Sequence, residues 1–83
     1  MLSDGFDKLP IDEKGEITFG QGKFIAQRFY YNQTIALYSL EDEFIEVWYL
    51  PNENRIGNIK LMEDIKTLDL YIDFELQNQK GKM

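Results

Sequence analysis

The sequence predicts a mainly β fold: a single small domain in which four to five strands run as an antiparallel meander. Three observations lead there. Between residues 17 and 61, apolar, β-branched and aromatic residues come in short runs separated by turn-forming or charged residues. The connections are too brief for crossovers, so successive strands must be antiparallel neighbours. At 83 residues the chain has material for one core, because a domain of this size buries only about 60% of the surface its unfolded chain exposes.

Residues 1–15, rich in Asp, Lys, Gly and Pro, read as a loosely ordered N-terminal segment, and the polar stretch 77–83 reads as a disordered tail. The globular domain then spans 16–76. Its first strand begins at Ile17 to Phe19, bends at Gly20 and Gly22, and continues from Phe24 to Tyr31, since glycine inside a strand pattern marks a bulge. Asn32-Gln33 supplies a tight turn into a second strand, Thr34 to Leu40. Glu41-Asp42-Glu43 is a charged turn, and Phe44 to Leu50 is a third strand with the strongest β-composition in the chain. After a turn at Pro51-Asn52-Glu53-Asn54, Arg55 to Leu61 is the fourth strand. Gly57 marks a bulge there, where the apolar phase shifts between Ile56 and Ile59.

From Thr67 to Leu76 a two-residue alternation sets Leu68, Leu70, Ile72, Phe74 and Leu76 on one side, which predicts a fifth strand. The alternative is an α+β fold with residues 62–76 as a C-terminal helix packed on the sheet. That helix would align Leu61, Ile65, Leu68, Ile72 and Leu76 in one stripe and leave Leu70 and Phe74 outside it. A three-residue turn at 41–43 pairs Leu40 with Phe44, placing Ile35 and Leu37 on a core face with Ile45, Val47 and Tyr49. Ala36, Tyr38, Phe44, Glu46, Trp48 and Leu50 then share the opposite face, to which a two-residue first turn adds Phe29 and Tyr31. A one-residue change in the charged turn would exchange these partners.

Composition excludes more functions than it names. With no cysteine and no histidine, the chain lacks thiolate nucleophiles, cysteine-ligated metal sites, the usual base at neutral pH and every Ser-His or Cys-His arrangement. An enzyme, a cofactor and a metal are therefore not expected. Fifteen acids against nine bases give a net charge of −6, with residues 1–40 contributing −1 and residues 41–83 contributing −5. That field opposes direct binding to nucleic acid or an anionic membrane. No stretch approaches a signal peptide or a membrane span, so a cytoplasmic location is expected.

Three motifs fail, two on spacing and one on context. Setting Gly15 at the sixth position of an EF-hand loop puts Pro10 first, Lys14 fifth and Gln21 twelfth, which removes the bidentate carboxylate. The glycines around Lys23 do not carry the spacing or the hydroxyl of a phosphate loop. Asn32-Gln33-Thr34 has the form of a glycosylation acceptor but sits in a tight turn.

The best candidate binding residues are Trp48, Tyr38, Glu46 and Phe29. Aromatic anchors supply large contact area at small entropic cost, and Glu46 projects beside Trp48 where it can meet a cationic group. The expected function is a non-enzymatic protein-interaction module, or a homodimer, using this aromatic face or a free sheet edge. The alternative is an acidic regulator, inhibitor or immunity-type protein presenting the carboxylates of residues 41–46 and 63–75 to a basic partner.

Overall fold

A computed structural model describes residues 5–72 of the chain. Four strands form one sheet in the order of the sequence: β1 (Lys23–Tyr30), β2 (Gln33–Leu40), β3 (Glu43–Leu50) and β4 (Arg55–Leu61). Every neighbouring pair is antiparallel, so the protein is the four-stranded meander that the short connections predict.

The N-terminal part departs from expectation. Residues 6–8 make a 3₁₀ turn with Phe6 buried, and Ile11–Gln21 form an 11-residue helix, α1, where the sequence suggests loose chain and the start of a strand. Pro10 precedes the helix and its carbonyl accepts from the amides of Glu13 and Lys14. Asp12 and Glu13 lie in the first turn, where the helix dipole favours acids. The helix faces the sheet with Lys14 and Thr18, one turn apart and both buried. Because its buried stripe carries a lysine stem and a hydroxyl, an apolar period of 3.6 is absent from the sequence. Gly22 ends the helix: its amide donates to the Thr18 carbonyl at 2.9 Å, and a Cβ there would lie 2.5 Å from that same oxygen.

The C-terminal part departs too. Asp64 accepts from the Lys66 amide at 3.0 Å and opens a 3₁₀ turn at Ile65–Thr67, from which residues 68–72 continue as helix. Leu68 and Tyr71, three residues apart, pack against the sheet, whereas Leu70 and Ile72 are exposed. The strand alternation over 67–72 is therefore replaced by helix, and residues 73–76 and the tail 77–83 lie outside the described residues.

Both hairpin loops have two residues, Tyr31-Asn32 and Glu41-Asp42, and each begins with a positive φ, 55° and 56°. The second loop is one residue shorter than the charged turn suggests, so Leu40 pairs with Glu43 and Tyr38 with Ile45. This exchanges the faces. Ile45, Val47, Ile59 and Leu40 form one core beneath Phe6 and α1, with Tyr38 and Ala36 beside them. Ile35 and Leu37 form a second core on the opposite face, under Tyr71, with Leu68, Met62, Phe44 and Trp48 packed around it. The bulge in β4 falls between Ile56 and Asn58, opposite Tyr49 and Trp48, and β1 bulges at Ile25.

Candidate functional site

The observed register separates the four candidate binding residues. Glu46 and Trp48 lie on the face covered by Tyr71, whereas Tyr38 and Phe29 lie on the face that carries α1. The single aromatic surface of the sequence reading is thus two surfaces back to back.

Glu46 is only 4% exposed, and the cationic group it meets is the chain's own Arg28. Arg28 Nη2 donates to Glu46 Oε2 at 3.3 Å, and the Tyr71 hydroxyl donates to the same oxygen at 2.8 Å. One carboxylate therefore links β1, β3 and the C-terminal helical turn. Burial, and then the hydrogen bond and charge of Glu46, push the Tyr71 hydroxyl well above its ordinary pKa, although Arg28 pulls the other way. The Arg28 guanidinium lies 5.2 Å from the Tyr71 ring and 5.8 Å from the Trp48 ring. Trp48 also meets Tyr30 edge-on at 5.9 Å and the Lys60 ammonium at 4.9 Å. Arg28 and Tyr71 are the residues that sequence reasoning missed. An inward-facing arginine leaves no pattern of its own, and Tyr71 sits on the polar side of the strand alternation.

On the other face Tyr38 contacts Phe19 and Phe24 edge-on at 5.5 and 5.7 Å. Phe19, Phe24 and Phe29 are all about half exposed there. Of the acids in 41–46, Glu41 and Asp42 are exposed in their turn, and Glu46 is committed inward.

The two outer strands differ. On β4 the N-terminal segment occupies the outer edge: Lys14 Nζ donates to the Ile59 carbonyl at 2.9 Å, and Asp7 Oδ1 accepts from the Leu61 amide at 3.1 Å. Asn58 Oδ1 accepts from the Ile59 amide at 2.9 Å, so the chain satisfies this edge with its own side chains. On β1, among the described residues, no strand lies outside. Its exposed residues are Lys23, Phe24, Ile25, Gln27, Phe29 and Tyr30, and Tyr31 follows in the turn.

Among the described residues no group of three or more acids is placed to hold a metal ion, and no helix is long and apolar enough to cross a membrane. Comparison with models of protein families, with curated proteins and with solved structures finds no match to this chain.

Proposed function

We propose that the chain is a small, non-enzymatic protein-interaction module that works as a homodimer joined through β1. The asymmetry of the two sheet edges carries this reading. Natural proteins blunt an outer strand with charge, proline or covering chain, and β4 is covered by Lys14 and Asp7. β1 carries two charged residues, Lys23, exposed at its first position, and Arg28 in its middle, which is turned onto Glu46. The network beneath Tyr71 thus removes charge from the middle of β1 and leaves Lys23 at the strand's start.

In a two-residue hairpin the residues flanking the loop exchange hydrogen bonds, so Tyr30, Arg28 and Ala26 bond to β2 and Gln27 turns its backbone groups outward. A two-fold axis at Gln27 sets Ile25 of each copy, at the bulge, opposite Phe29 of the other. An axis at Arg28 would instead bring two like charges face to face. The contact is isologous, and the two four-stranded sheets run on as one.

Light scattering during size exclusion tests this. The wild type is expected at about twice 9.8 kDa. Gln27→Lys, which places two ammonium groups across the axis, is expected at the monomer mass with an unchanged circular dichroism spectrum. The same charge at exposed Asn52 should leave the dimer intact. A wild type that stays monomeric at high micromolar concentration, or a Gln27→Lys variant that stays dimeric, overturns the proposal.

A further inference from the structure

We infer that the groove between α1 and β4 is a second interaction surface, whose occupant is a basic amphipathic helix presented by another protein. It is independent of the β1 edge. The groove is open, with a volume of about 460 Å³, and Ile11, Gly15, Phe19, Ile56 and Ile59 form its apolar lining. Ile11 and Phe19 are exposed along it.

Gly15 is the first argument. Glycine in a helix interior weakens the helix relative to alanine, so its presence there calls for a reason. Its φ is not positive, and an added Cβ would meet Phe19 at 3.6 Å and Ile59 at 3.7 Å, ordinary van der Waals distances. Neither backbone nor packing requires glycine. The missing side chain deepens the floor of the groove between Phe19 and Ile59, leaving room for an apolar side chain from outside.

Charge identifies the occupant. The charged residues lining the groove are Asp12 and Glu16, one helical turn apart and hence on one side of α1. Lys14 is turned away, its ammonium donating to the Ile59 carbonyl. A helix laid in a groove anchors itself with apolar residues at i, i+4 and i+7, and lysines or arginines one turn apart on its flank would meet Asp12 and Glu16. A second copy of this chain fits poorly, because its own α1 carries Asp12, Glu13 and Glu16 and would bring like charges together.

The probe is a fluorescent amphipathic peptide of Leu, Ala and Lys, roughly 18 residues long so that its helix is not marginal. A scrambled peptide of the same composition and a Glu-for-Lys analogue serve as controls, and fluorescence anisotropy is the readout. The amphipathic lysine peptide is expected to bind wild type and the scrambled one to bind much more weakly. Gly15→Leu fills the floor without changing charge and is expected to weaken binding by about tenfold or more, the loss of one buried anchor. Gly15→Ala reports the helix-propensity effect alone. Asp12→Lys with Glu16→Lys should reverse the preference toward the glutamate peptide. Binding unchanged by Gly15→Leu, equal binding of the scrambled peptide, or no binding of the lysine peptide overturns the inference. A Gly15→Leu variant whose solution mass falls assigns the groove to a second copy and also overturns it.

Discussion

Tyr71→Phe isolates the bond that ties the C-terminal turn to the sheet. The substitution keeps the ring, and with it the contacts to Ile35, Leu37 and the Arg28 guanidinium, and removes only the hydroxyl that donates to Glu46 at 2.8 Å. A hydrogen bond to a buried charged group contributes about 1.5–3 kcal/mol, so wild type should exceed the variant by that amount at pH 8. Alkali supplies a second test. The folded pKa of Tyr71 is raised above its ordinary value of 10.0, so the folded chain keeps that proton where the unfolded chain loses it. Stability from this group is therefore complete below pH 10 and declines as pH rises toward the folded pKa. At pH 11 ionisation of the unfolded tyrosine lowers the wild-type advantage by about 1.4 kcal/mol, while groups common to both proteins cancel. Urea unfolding followed by the fluorescence of the single tryptophan, Trp48, at both pH values measures the difference. A gap that is absent at pH 8, or that does not change with pH, refutes the account of this network.

Two further outcomes are expected from the same unfolding measurement. Arg28→Met strands the buried Glu46 carboxylate and should cost about 3–5 kcal/mol, whereas Arg28→Met combined with Glu46→Leu and Tyr71→Phe should recover most of that loss, because the three apolar side chains leave neither a buried charge nor a buried hydroxyl unpaired. Gly22→Ala drives a Cβ to 2.5 Å from the Thr18 carbonyl and should destabilise by about 2 kcal/mol or more, but Gly20→Ala, with nothing within 4 Å, should stabilise by about 0.5–1 kcal/mol.

Trp48 and Glu46 show how far a candidate site can be read from sequence. Both were legible as residues of note, one for its size and the other for an acid in the middle of an apolar strand. Their partners were not, since pairing depends on a register that one loop residue decides. With Glu41-Asp42 as the loop, Tyr38 moves to the α1 face, and Trp48 meets Arg28 and Tyr30 instead. The contrast between the edges was less legible still, because it rests on Lys14 and Asp7 reaching β4 from 45 and 54 residues away.

By itself, the sequence determined the elements whose signals are local. Short β-branched and aromatic runs with tight connections can only form a meander, the phase shift about Gly57 marks the β4 bulge, and the absence of cysteine and histidine removes whole classes of chemistry. Tertiary structure decided where two periodicities competed or neither was present. Residues 11–21 became helix where Lys14 buries its stem against the sheet and reaches the Ile59 carbonyl, and residues 68–72 became helix because that geometry turns Leu68 and Tyr71 together onto the sheet. It also turned Arg28 inward to Glu46, since a buried carboxylate is costly unless paired, and so left the middle of the outer strand β1 without an exposed charge.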